Sequence, residues 1–266
     1  MDVAIIDYYA NHGKSFLHKA KAFWKIIFAA LIIASIIITN EFYLLLGIYI
    51  ALVTIATWTK LSVTKILTIA AYPAIFALIF AIASWNGSWL RAGVIMLKAL
   101  SAALTMVILI VTTPYPDVFN AIRPAVPKII AEGLFVTYRS VFILLELTDD
   151  LIKGLKVRGG ITRRKYISNV KNFSSGIGLL IVRGFDYSEK FYGVMNVRGY
   201  GGKISSGKTQ NGIGRNDVIA LIIGILIFAV SLGTVIEKSL LEFSIYALVC
   251  SVIALVISSI YVQFNS

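Results

Sequence analysis

Six apolar runs, each long enough to cross a bilayer core of about 30 Å, dominate the sequence and leave it few ways to fold. They cover residues 23–39, 42–58, 66–84, 92–112, 218–236 and 243–262. In lipid every backbone polar group must be satisfied inside the chain, so runs of this length form helices. The expected fold class is therefore all-α: a polytopic membrane protein of about six transmembrane helices in a four-plus-two arrangement, with long cytoplasmic amphipathic helices in the gap. A hydrophobic share of 58% agrees, being far above that of a soluble domain. The expected segments are an N-terminal cytoplasmic stretch (1–22), four transmembrane helices (23–113), a cytoplasmic region (114–216) and two further transmembrane helices (217–266). No removable signal peptide is expected, because a positive region followed at once by an apolar core and a cleavage site is missing from the first residues.

Charge orients the chain. Lys14, Lys19, Lys21 and Lys25 precede or open the first run, Lys60 and Lys65 follow the second, and residues 114–216 hold sixteen Lys and Arg against seven acids. The opposite loops carry Glu41, Arg91 and Lys238, the last offset by Glu237 and Glu242. By the positive-inside rule both termini lie in the cytoplasm of a plasma-membrane protein. The net charge of +12 reads as a basic region beside a lipid bilayer rather than a nucleic-acid surface, since no recognition motif accompanies it. The single cysteine, Cys250, rules out a disulfide framework. His12 and His18 form no metal pattern with their neighbours, and Ser84, Trp85 and Asn86 read as a turn, so neither a metal site nor a nucleophile–base pair is expected.

Residues 129–147 are apolar, yet Glu132, Arg139, Glu146 and Lys153 recur every seven residues and share one helical face. A long amphipathic helix starting after Pro127 and lying against the cytoplasmic ends of the bundle is the expectation, with Asp149 and Lys153 paired at i, i+4; a buried seventh span is the alternative. In the third run Ala70, Ala74, Ala77 and Ala81 make a small-residue stripe beside Pro73, read as packing within the chain and a kink. Lys98, inside the fourth run, reads as a snorkelling side chain more than as a transport-pathway residue.

Between the fourth and fifth runs the chain repeats itself. DDLIKGLKVRGG from Asp149 and EKFYGVMNVRGY from Glu189 align with an offset of 40, and Val-Arg-Gly closes both. Each reads as a helix ending in which Gly159 or Gly199 takes the left-handed conformation while Arg158 or Arg198 faces the negative end of the helix dipole. A planar, permanently charged guanidinium at a rigid tip suits docking on an acidic group of another protein. Shortly after the second copy, Gly202 to Thr209, GKISSGKT, matches the phosphate-loop pattern. That pattern needs a buried strand before it and a helix after it, and here a helical segment precedes it while QNGIGRN follows. It reads as a polar connector leading to Asp217, the expected N-cap of the fifth span.

The paired tips, with TPYPDVFNAIRPAVP, VTYRSVFILLELTDDLIKGLKVRGG and LLIVRGFDYSEKFYGVMNVRGY, resemble the transmembrane T component of energy-coupling factor transporters. The opening IIDYYANHGKSFLHKAKAFWK is similar to that of the family's CbiQ branch, associated with cobalt and nickel uptake. Val157 and Val197 stand where the family's motif usually has alanine. The resemblance implies a non-catalytic coupling subunit whose partners are two ATPase subunits of the ABC type and a substrate-binding membrane S component. Val157, Arg158, Gly159, Val197, Arg198 and Gly199 would then be the ATPase-coupling residues. ATP and magnesium would be used by the partners, with no cofactor or metal bound by this chain. A vitamin transporter of the same family and a self-contained secondary transporter are the alternatives.

Overall fold

A computed structural model describes residues 16–58, 63–84, 87–160, 166–201, 214–236 and 241–264. Among these residues the regular structure is helical, with no strand. The helices are α1 (Phe16–Lys19), α2 (Ala22–Ile38), α3 (Phe42–Trp58), α4 (Val63–Ala83), α5 (Trp89–Thr112), α6 (Tyr115–Ile122), α7 (Lys128–Val157), α8 (Tyr166–Val197), α9 (Arg215–Ile236) and α10 (Leu241–Phe264). A 3-10 turn, Arg123–Ala125, precedes α7. Each of the six apolar runs coincides with a helix. Ile66–Ala83, Trp89–Thr112 and Arg215–Thr234 are long and apolar enough to cross a membrane, and Ala22–Ile38, Phe42–Thr57 and Ile245–Ser258 are shorter apolar stretches.

The chain forms two compact units, Met1–Ala121 with Gln210–Ser266, and Ile122–Thr209. The first is an apolar bundle. Its inner helices α2, α3 and α5 meet around Ile32, Leu45, Leu52 and Leu104, all essentially inaccessible. Each inner helix carries one outer helix, α9 on α2, α10 on α3 and α4 on α5. Small residues permit the close approaches: a Cβ on Gly47 would lie 3.4 Å from the Leu248 backbone, so α3 and α10 nearly touch main chain to main chain. The alanine stripe is an internal contact, with Ala70, Ala77 and Ala81 buried in a helix that runs through Pro73 without a break. The opposite face of α4 presents Tyr72, Phe76 and Phe80 outward, as a helix bathed in lipid tails requires.

Two lysines of this bundle are spent on helix ends. Lys25, near the start of α2, is 2% exposed and donates from Nζ to the Thr112 carbonyl at 2.8 Å, closing the end of α5. Lys98 of α5 donates to the Ile37 carbonyl at 3.1 Å and to Asn40 Oδ1 at 3.0 Å, closing the end of α2. Two antiparallel helices thus cap one another's negative ends. Lys98 thereby has a structural partner at the end of α2.

Asp217 corrects the expectation placed on it. Helix α9 starts at Arg215, which puts Asp217 in the third helical position instead of at the N-cap. Its Oδ2 accepts from the Gly214 N–H at 2.8 Å and its Oδ1 from the Lys21 N–H at 2.7 Å. A carboxylate one turn inside a helix can reach back to the orphan donor that an N-cap would leave, and here it also binds the chain entering α2.

Candidate functional site

The second unit consists of α7 and α8 and the turns that end them. Pro127 precedes the first residue of α7, as a ring with no N–H to donate suits a helix start. The charged stripe of α7 divides by position. Glu132 is buried, Arg139 lies over the Phe191 ring at 5.4 Å, and Lys153 pairs with Asp150 at 3.8 Å. The expected Asp149–Lys153 pair gives way to this i, i+3 contact, since residues three and four apart are both neighbours on a helix. With both side chains largely exposed it contributes little stability.

The two tips are the same motif, bond for bond. In the first, the Gly159 N–H donates to the Lys156 carbonyl at 3.1 Å and the Gly160 N–H to the Leu155 carbonyl at 2.8 Å. In the second, Gly199 donates to Asn196 at 3.0 Å and Tyr200 to Met195 at 3.0 Å. These are the crossed bonds of a Schellman ending, which satisfies carbonyls that the last helical turn leaves free. The motif requires positive φ after the cap, and Gly159 stands at 67° and Gly199 at 76°. Val157 and Val197 are 89% and 90% exposed, and Arg158 and Arg198 beside them are exposed too. Exposing an isopropyl group beside a cation wins no stability for the unit itself.

What holds the tips in place also repeats at an offset of 40. Asn172 Nδ2 donates to the Gly160 carbonyl at 2.9 Å, fastening the first tip to the second turn of α8. Tyr200 Oη donates to Glu132 Oε2 at 3.0 Å, fastening the second tip to the second turn of α7. Residues 132 and 172, and residues 160 and 200, are equivalent positions of the repeat. Consequently α7 and α8 lie antiparallel, and a helix of thirty residues separates the tips by roughly 45 Å along its axis. The Glu132 bond, followed by burial and the carboxylate charge, raises the Tyr200 phenol above its ordinary value of 10.0. Neither latch was visible in the sequence, where Glu132 read only as one member of a stripe; the offset of 40 from Asn172 was the available signal.

GKISSGKT, His12, Trp85 and Asn86 lie outside the described residues. The chain entering GKISSGKT is the end of α8 and the tip turn, a helical approach where a phosphate loop would have a strand. Among the described residues no group of His, Cys, Asp and Glu has the spacing of a metal site.

No curated protein matches the chain closely enough to be informative. Residues 13–210 match the family model described as CbiQ, cobalt transport protein, a span that takes in α1 to α8 and both tips. An all-α, polytopic membrane chain with this match over most of its length belongs to the CbiQ cobalt transport protein family, the T components of energy-coupling factor transporters.

Proposed function

We propose that this chain is the coupling subunit of an ATP-driven importer for cobalt or nickel. On this reading six helices cross the membrane with both termini in the cytoplasm, and residues 114–216 face two cytoplasmic ATPase subunits. Arg158 and Arg198 dock on those subunits, each guanidinium making charge-assisted hydrogen bonds to an acidic group. A separate membrane S component binds the substrate, and this chain carries out no chemistry of its own. The observation that supports the reading most directly is the pair of tips closed by the same hydrogen bonds, each presenting an exposed valine and arginine on an ordered turn.

Coupling requires the tips to make different contacts in the open and closed states of the ATPase pair, because a partner shifts only an equilibrium whose states it binds unequally. The tips stand at opposite ends of a latched antiparallel pair, so force applied at one end is resisted by the other through Glu132–Tyr200 and Asn172–Gly160. Approach of the ATPases then tilts or bends the pair as a unit.

Affinity purification of the tagged chain in mild detergent, compared with Arg158→Glu, Arg198→Glu, tests the proposal. Two ATPase subunits and a small membrane protein are expected with the wild type, and the ATPases are expected to be lost from the variant. Undiminished recovery, with substrate-dependent ATP hydrolysis intact, refutes it.

A further inference from the structure

Glu132 keeps one carboxylate oxygen in use and leaves the other idle. Its Oε2 accepts from the Tyr200 hydroxyl at 3.0 Å, whereas Oε1 is buried and accepts no hydrogen bond. The residue as a whole is 8% exposed. A buried carboxylate oxygen left without a donor is costly, and a neutral glutamine would serve the Tyr200 latch as well. The latch alone therefore does not account for a charge at this position.

Glu132 also lines a pocket of about 510 Å³ at the start of α7, together with Lys128, Ile129, Gly133, Thr137 and Tyr200. Lys128 stands one turn before Glu132 and is exposed, yet it does not close on the idle oxygen. Lysine preceding glutamate is the weaker order for an i, i+4 pair. The pocket thus offers a cation and an acceptor about 6 Å apart along the helix, neither neutralising the other. Ile129 at its wall is 85% exposed and Ile130 is 52% exposed, and water is a poor surrounding for two adjacent isoleucines. Ile122, Arg123, Lys128, Ile129 and Ile130 mix basic and large apolar side chains on one short stretch, the composition of a segment that lies in a lipid headgroup layer. In sequence, fifteen residues separate Lys128 from Thr112, where a helix long and apolar enough to cross a membrane ends.

We propose that this pocket binds the headgroup of an aminophospholipid of the ethanolamine type. The primary ammonium donates to Glu132 Oε1, the phosphate faces Lys128, and the acyl chains cover Ile129 and Ile130. The charge pattern selects this class of ligand. A purely anionic headgroup meets the Glu132 carboxylate with like charge, a basic peptide meets Lys128 in the same way, and a choline headgroup has the right charges but no N–H for the idle oxygen. The lipid fixes the start of α7 at the membrane surface, and through the Glu132–Tyr200 bond it fixes the turn that ends α8. Neither arginine tip takes part, so the inference stands or falls separately from the coupling reading.

The test is native mass spectrometry of the full-length chain, purified in detergent without partners and mixed with phosphatidylethanolamine, phosphatidylcholine or phosphatidylglycerol of identical acyl chains. Retention of one phosphatidylethanolamine is expected to exceed that of the other two lipids. Glu132→Gln, which keeps an acceptor for Tyr200, is expected to lower that retention about tenfold and to leave the phosphatidylcholine adducts unchanged. Lys128→Gln, at an exposed position, is expected to lower it about two- to fivefold. Equal retention of the three lipids, the result expected if the pocket is reserved for a basic segment of a partner protein, overturns the inference. An undiminished ethanolamine preference in both variants overturns it as well. Displacement of the lipid by an equal concentration of soluble phosphoethanolamine overturns the role given to Ile129 and Ile130.

Discussion

Adding one methyl group at Gly159 separates a tip that must be ordered from a tip that merely ends a helix. Gly159 is held at φ 67°, and a Cβ built there meets no atom within 4 Å. The cost of Gly159→Ala is therefore conformational and not steric, about 1 to 2 kcal/mol for an L-residue in the left-handed region. If a partner binds the closed Schellman turn, that free energy is subtracted from binding, since apparent affinity falls with the fraction of chains already in the competent state. Docking is expected to weaken about 5- to 30-fold, and Gly199→Ala, at φ 76° with equally open surroundings, is expected to do the same at its own tip. Gly178→Ala and Gly193→Ala supply the contrast. Both glycines lie inside α8 with open space where a Cβ would go, so alanine there is expected to stabilise the helix by up to about 1 kcal/mol. The assay is a titration of purified ATPase subunits against each variant in detergent, with thermal melting followed in parallel. Binding by Gly159→Ala as tight as by Gly178→Ala refutes the argument that the ordered turn is what the partner recognises.

Three further outcomes follow from other contacts. Asp217→Ala orphans the Gly214 and Lys21 N–H groups at once, and the bundle is expected to lose about 2 to 4 kcal/mol, with Asp217→Asn intermediate, as read by melting in detergent. Lys98→Met removes the partly exposed cap on α2 and is expected to cost about 1 kcal/mol while leaving uptake by the assembled transporter intact; loss of uptake without loss of stability would return Lys98 to a transport pathway. Because the folded state raises the Tyr200 phenol above 10.0, the latch on the second tip is fully present below that value and is lost as pH rises through the raised one. Phenolate absorbance is expected to show a late-titrating tyrosine that Tyr200→Phe eliminates.

The features legible in the sequence are those closed over short stretches of chain. Each apolar run became a helix displaced by no more than three residues at either end, because a segment with no water to bond must satisfy its own backbone. The left-handed glycines were equally legible, since all bonds of a Schellman turn lie within six residues. Asp217 marks the limit of local reading. A carboxylate in the first turn can cap from outside the helix or reach back from the third position, and the two choices share one sequence signature. Lys153 chose Asp150 over Asp149 for a similar reason, both acids being near neighbours on the helix.

By itself, then, the sequence determined that the chain lies in a membrane, where its helices fall, and that two equivalent arginine tips end two of them. Only the tertiary structure decided which lysine caps which helix, that Glu132 holds Tyr200 as Asn172 holds Gly160, and that the repeat is an antiparallel pair. A repeat in sequence states that two segments are alike. Which of their faces meet depends on packing between residues far apart in the chain, and here that packing gave one repeated phrase two latches of unlike chemistry, an amide on a carbonyl and a phenol on a carboxylate.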